Sequence, residues 1–502
     1  MFGYAGLVWV LIALCRSVIA EDNLSKLQFP EGFLFGVSTS AYQIEGGQEG
    51  NGYGKNVWDY FKENHPEKFE IKDDAKIACD SYHKFKEDVK LIKNLGVQFY
   101  RFSVSWSRVL PEGYSHNISK DGLRYYNDLI DELLANGIEP MITMHHGELP
   151  LTLHEIGGWI NPYMVYYFED YARILFSYFG DRVKYWITFN GGCVGYGEDY
   201  FVPFLNQSGV TDYLCSQVIT LAHAKAYHLY DNEFRIIQKG KVGITFAGDW
   251  YEPGTFAAQD IEASERAMQF KLGIYANAIF HPEGDYPKLV RERVQNVSRQ
   301  EGYLRSRLPV FSREEVDYIQ GTYDFIGFNC YSSHLVEDAE EDMSERTSFY
   351  KDIRIKMYQD KSWERGKSIW LGVYPEGTRK VLKWVKKNYD DPEIIITENG
   401  FSDNGELNDV KRIKFYQKYL SAILDSIHED KVNVIGFSAW SLLDNFEWMQ
   451  GYSERFGLYH VDFSDPQRKR TPKKSVQWYK QVVQERRIVE LEEISSRLKG
   501  DL

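Results

Sequence analysis

Residues able to do chemistry fall in short clusters along this chain, each directly after an apolar run. The clusters are Tyr42-Gln43-Ile44-Glu45, Trp106, His145-His146, Asn190, Asn329-Cys330-Tyr331, Glu398-Asn399-Gly400 and Trp440-Ser441. A carboxylate such as Glu398 can serve as a nucleophile or exchange a proton. Carboxamides and imidazoles bind hydroxyl groups, and aromatic faces stack on the apolar face of a pyranose ring. The chain holds 12 Trp, 36 Tyr and 30 Phe, enough to fill a core and still line a sugar site. Metal and cofactor chemistry is not indicated. There is no CxxC pair, and adjacent His145 and His146 would point to opposite faces of a strand.

The apolar runs are the elements that would position these clusters. They are Phe33–Ser38, Phe99–Val104, Pro140–Met144, Lys184–Phe189, Lys241–Ala247, Phe325–Asn329, Glu393–Thr397 and Asn433–Ala439. Helix-patterned stretches lie between most of them, at Lys84–Leu95, Tyr125–Leu134, Tyr163–Tyr178, Tyr213–Tyr230, Gly377–Tyr389 and Val410–Ile427. Alternating strand and helix predicts an α/β fold with a parallel sheet. Eight units without a break predict closure into a single (β/α)8 TIM barrel with loop insertions. In such a barrel every cluster falls on the C-terminal rim, where active sites are built. The charged stretch Val336–Gly366 reads as a surface insertion after the sixth strand.

The 502 residues are 43% hydrophobic, enough for a large core. The formal net charge of -14 argues against nucleic acid or an anionic membrane as a partner. Residues 1–20 read as a signal peptide, with a short apolar run and Val18 and Ala20 before the cleavage point. The mature barrel is expected over 21–483 and a charged, exposed helical tail over 484–502. Sequons at Asn23, Asn117, Asn206 and Asn296 accompany the secretory reading. Four cysteines remain beyond the leader, which allows three pairings; Cys193 and Cys215 bracket one loop and are the expected pair.

The motifs resemble family 1 glycoside hydrolases. Phe33 to Gly47 is similar to the family's N-terminal signature, and Tyr100 to Trp106 to its second-strand motif. Ile395-Ile396-Thr397-Glu398-Asn399-Gly400 resembles the nucleophile motif, and Trp440 to Trp448 with Arg455 to Tyr459 the C-terminal motifs. The resemblance runs from about Phe29 to Tyr479. It implies a retaining β-glycosidase, without cofactor, acting on small β-glucosides or thioglucosides. Glu398 would form the covalent glycosyl-enzyme. Arg101 and Tyr331 would orient that carboxylate. Gln43, His146, Asn190, Trp440, Glu447 and Trp448 would hold the terminal sugar.

Two departures stand out. The family's Thr-Phe-Asn-Glu-Pro reads Thr188-Phe189-Asn190-Gly191-Gly192 here, so Gly191 stands where the acid/base glutamate is expected. The family's His-Trp-Asp-Leu-Pro reads His146-Gly147-Glu148-Leu149-Pro150. Cys330 also replaces a common family His. Retaining hydrolysis uses two carboxylates about 5–5.5 Å apart, and acid–base assistance is worth roughly 10²–10⁴-fold. Three readings follow: a β-glucosidase with substituted acid/base machinery, with His145, Glu148 or Glu198 as replacement groups; a thioglucosidase cleaving glucosinolates, whose leaving groups need no proton; and a catalytically silent glycan-binding protein. Oligomeric state is left open.

Overall fold

The computed structural model describes residues 28–491 apart from 51, 70–71, 199–201 and 341–345. The expected signal peptide, the sequon at Asn23 and the last stretch of the expected tail, 492–502, lie outside the described residues.

Eight parallel strands close into a barrel. They are β1 (Leu34–Ser38), β2 (Phe99–Ser103), β3 (Glu139–His145), β4 (Tyr185–Asn190), β5 (Lys241–Ala247), β6 (Phe325–Asn329), β7 (Ile394–Asn399) and β8 (Val434–Trp440). Each pairs with its neighbours in chain order, and β1 closes on β8 with Ser38 opposite Trp440. The strand runs are short and rich in β-branched and aromatic residues, which fit a sheet covered on both faces.

Helices wrap the outside. The helix Lys120–Ala135 shows why. Ser119 caps it by accepting the Gly122 N–H at 3.1 Å, and Leu123, Tyr126, Ile130 and Leu133 form one buried stripe at helical spacing. The stripe packs against the barrel wall while Lys120, Arg124 and Asp131 stay exposed. The long helix Thr211–Leu229 is instead buried on most of its circumference, because the helix Met164–Phe179 and later helices cover it.

Inside the barrel, the N-terminal end is plugged by Phe99, Met141, Ile187, Phe325 and Ile395. Above that apolar floor the inward positions turn polar, at Arg101, Thr143, Thr245 and Thr397, all buried. The change of character along the barrel axis separates a layer that stabilises from a layer that can react.

Two expectations are corrected. Val336–Gly366 is not simply a loop insertion. Ser333–Asp338 and Ile355–Tyr358 pair antiparallel, and Trp250–Pro253 joins them in a three-stranded sheet outside the barrel. Charged side chains on the exposed face of these strands hide their alternation, while Val336 is fully buried. The tail does not begin as an exposed helix either. The last described helix ends at Glu485, Gln28 bridges Arg487, and Val489 is buried and accepts the Trp478 indole N–H at 2.8 Å. The segment after Glu485 is therefore tied down against the outer helices and the chain preceding β1. No helix among the described residues is long and apolar enough to cross a membrane.

Candidate active site

Glu398 lies near the end of β7, where the pairing register with β6 shifts between Ile396 and Glu398. On a regular strand Thr397 and Glu398 would face opposite sides. Here both join the interior network, because a bulge re-aims the carboxylate. A second register shift, between Ile187 and Asn190 of β4, does the same for Asn190. Phe189 then faces outward and stacks on Phe168 at 4.4 Å.

Arg101, fully buried on β2, organises the cluster. Its Nη1 donates to Glu398 Oε1 at 2.7 Å, its Nη2 to Asn190 Oδ1 at 2.6 Å, and its Nε to Thr143 Oγ1 at 3.0 Å. Tyr331 OH donates to the second carboxylate oxygen, Oε2, at 2.8 Å. Both oxygens are thus oriented by charge-assisted hydrogen bonds. Asn329 Nδ2 also donates to Asn190 Oδ1, at 2.9 Å, so the Asn190 amide N–H must face His146 Nε2, 3.0 Å away. His146 Nε2 therefore accepts, and its proton sits on Nδ1. Burial, with Arg101 beside it, holds His146 well below the usual imidazole range and so neutral. His146 Nε2 is 3.9 Å from Glu398 Oε1.

The other expected sugar-binding residues surround this cluster. His146 lies parallel to Trp440, with ring centroids 5.7 Å apart. Gln43 is fully buried; its amide nitrogen donates to Asn445 Oδ1 at 3.0 Å, to Phe446 O at 2.9 Å and to Glu447 Oε2 at 3.3 Å. Burial, with the charges of Glu454 and Glu398, pushes the Glu447 carboxyl well above its ordinary range. Trp448 lies parallel to Tyr42 at 6.2 Å and packs 4.6 Å from Trp58.

Beside the cluster lies a cavity of about 450 Å³. His146, Asn190, Gly191 and Trp448 are among its lining residues, and Trp58, Trp159, Phe189, Val194, Tyr196 and Tyr275 make it largely apolar. Gly191 has φ +84°, and a Cβ there would meet nothing within 4 Å. Gly147 has φ +76°, and a Cβ there would lie 3.4 Å from Trp448. A Cβ on Gly192 would lie 2.6 Å from the Tyr275 ring. The loop is therefore built for glycine, with Tyr275 filling the space beside it. A disulfide joins Cys193 to Cys215, Cα–Cα 5.8 Å, and anchors this loop to the helix Thr211–Leu229.

Of the three groups considered as acid/base replacements, only His145 lines the cavity. Its Nε2 accepts the Trp159 indole N–H at 3.3 Å, and burial pushes it down to about 3, so it is neutral. Glu148 and Glu198 are absent from the described residues lining the cavity. Glu148 is buried near Glu45 and Asp59, and burial pushes its carboxyl up to about 8. Cys330 is a buried free thiol. Sequence reading passed over two further cavity-lining groups, Asp249 and Lys271. Asp249 stands just beyond β5, and the rule applied to the other strand ends would have found it. Asn117 is partly exposed, and Asn206 and Asn296 are exposed. Among the described residues, no group of three or more His, Cys, Asp or Glu is arranged to hold a metal ion.

The family model described as glycosyl hydrolase family 1 matches residues 25–488. Myrosinase 1 of Brevicoryne brassicae is 44% identical over 461 residues, covering 91% of this chain and 98% of the relative. The structure of an aphid myrosinase superposes with a TM-score of 0.87 at 44% identity, covering 91% of this chain and 99% of that one. A mutant of the rice Os3BGlu6 β-glucosidase, in a covalent complex with Glc from GA4GE, superposes with a TM-score of 0.85 at 38% identity, covering 90% of this chain and 98% of that one.

Proposed function

The chain belongs to glycosyl hydrolase family 1, and on that premise we propose that it cleaves β-glucosides through a covalent glycosyl-enzyme on Glu398, without a carboxylate at position 191. One observation carries this reading: Arg101 and Tyr331 each hold one oxygen of Glu398, at 2.7 and 2.8 Å. That arrangement presents a carboxylate ready for attack and fixes its direction. The covalent glucose complex of the rice relative supports the same chemistry. Gln43, His146, Asn190, Trp440, Glu447 and Trp448 form the sugar-holding shell in this reading. Gln43 already spends its amide N–H groups on Asn445, Phe446 and Glu447, so a sugar must displace part of that network.

In the first step the Glu398 carboxylate attacks the anomeric carbon and the aglycone leaves with the bonding electrons. In the second, water attacks the same carbon and Glu398 is released. With Gly191 at the usual proton-donor position, leaving groups that are stable anions react best. This favours a second reading, a thioglucosidase, to which the likeness to an aphid myrosinase adds support. The three exposed or partly exposed sequons, with the leader read from the sequence, support secretion as a glycoprotein.

The test is a 2-fluoroglucoside with an activated leaving group, followed by peptide mass analysis. The expected result is a glycosyl adduct on Glu398, absent in Glu398→Gln. Comparing a glucosinolate with aryl and alkyl β-glucosides separates the two substrate readings. A wild-type protein that forms no adduct and gives no burst from any of them is a glycan-binding descendant instead.

A further inference from the structure

We propose that Asp249 carries the proton in this site, in the role that Gly191 leaves unfilled. The proposal rests on Glu398 acting as nucleophile. It starts from the strand order: Asn190 pairs with Thr245 of β5, and the Gly191 N–H donates to Thr245 O at 2.8 Å. Asp249 follows two residues after the end of that same β5 strand. It lines the same cavity as Gly191, Asn190 and His146. Its side chain is 27% exposed, against 7% for Glu398, so its carboxyl is the more accessible of the two.

The groups around Asp249 suit proton exchange. Lys271 reaches it from the π-helical turn Gln269–Gly273, His334 from Ser333–Asp338, Tyr251 from Trp250–Pro253, and Cys330 from just beyond β6. His334 Nε2 is 3.9 Å from Asp249 Oδ2, and burial pushes His334 down to about 4, so it adds no charge near neutrality. Burial holds the Tyr251 hydroxyl and the Cys330 thiol above their ordinary ranges, so both stay neutral. Lys271 is the cation among these groups; its Nζ lies 4.2 Å over the Tyr350 ring. Burial pushes Asp249 up to about 6, and Lys271 and the Ser332 backbone N–H oppose that rise. A carboxyl with that value is populated in both forms near neutrality, as a proton carrier must be.

The steps balance. In glycosylation the anomeric carbon–oxygen bond breaks as Glu398 attacks, and the Asp249 proton passes to the leaving oxygen, directly or through one water. The products are a free alcohol, the Asp249 carboxylate and the glycosyl-enzyme. In deglycosylation the Asp249 carboxylate takes a proton from water as its oxygen attacks the anomeric carbon. The ester bond to Glu398 breaks and both carboxyl groups return to their starting states.

The test compares wild type with Asp249→Asn and Asp249→Ala on 2,4-dinitrophenyl and octyl β-glucosides. The expected result for Asp249→Asn is a loss of roughly 10²–10⁴-fold in kcat/KM for the octyl glucoside. The dinitrophenolate burst should be retained, and any pH-rate limb near pH 6 should disappear. For Asp249→Ala, azide should accelerate turnover and yield β-glucosyl azide. Adduct formation at Glu398 in each variant checks that the site is folded. Equal effects on both substrates, or an unchanged pH profile with a normal burst, would overturn the proposal for Asp249 alone. A wild type without burst or adduct would overturn the nucleophile reading as well.

Discussion

Arg101 Nη1 donates to Glu398 Oε1 at 2.7 Å across a sequence separation of 297 residues, and both side chains are almost wholly buried. Breaking a buried pair by removing one partner costs about 3–5 kcal/mol. Arg101→Met should therefore destabilise the fold by that order and abolish adduct formation at Glu398. Denaturant unfolding measures the first effect. A loss below about 1 kcal/mol would show that Arg101 is not the organising group.

Tyr331→Phe removes one hydroxyl and keeps the ring packed edge-on against Trp370 and Phe456. The hydrogen bond to Glu398 is to a charged acceptor, worth about 1.5–3 kcal/mol. The rate of glycosylation should fall about 10- to 150-fold, and unfolding should show a loss of no more than about 1.5–3 kcal/mol. Single-turnover kinetics reads the rate, and an unaltered rate would remove Tyr331 from the reaction.

Gly191→Glu should not add a working proton donor to the site. The space is open, but φ of +84° places the backbone in the left-handed region. A side chain there costs about 1–2 kcal/mol, and the new carboxyl would leave the strand end in a different direction from one on an extended backbone. The expected outcome is a modest fall in melting temperature with no gain on octyl β-glucoside. A large gain would mean the loop relaxes readily.

Glu148 gives a pH signature. Its carboxyl is pushed up to about 8 by burial, above its unfolded value of 4.5. Between those values the native state binds more protons than the unfolded state, so stability is greatest below about pH 4.5 and is lost as pH rises towards 8. The contribution is on the order of a few kcal/mol. Glu148→Gln should flatten this part of the stability profile and make the protein more stable at pH 8 than wild type. Parallel profiles for the two proteins would refute the assignment.

The barrel was legible in the sequence because each strand is a local apolar run, and a run survives reading one residue at a time. Ile394–Asn399 and Val410–His428 show this: the first declares itself by consecutive isoleucines, the second by helical spacing. The small sheet outside the barrel was not legible. Its strands are half exposed, and the charges on Ser333–Asp338 mask the period of two.

At the site, the sequence by itself determined which side chains stand on one rim: Glu398, Tyr331, Asn190 and His146 sit at or just beyond strand ends, while Arg101 stands mid-strand in β2. The tertiary structure alone decided how they face. The bulges in β4 and β7 turn Asn190 and Glu398 inward, and they depend on register with neighbouring strands far away in sequence. The structure also decided that Trp448 lies against Gly147, that the Gln43 amide is satisfied by the Asn445–Glu447 segment, and that Asp249 shares a cavity with Gly191. These are contacts between segments scores to hundreds of residues apart. Local periodicity carries no record of them, because they exist only once the barrel closes.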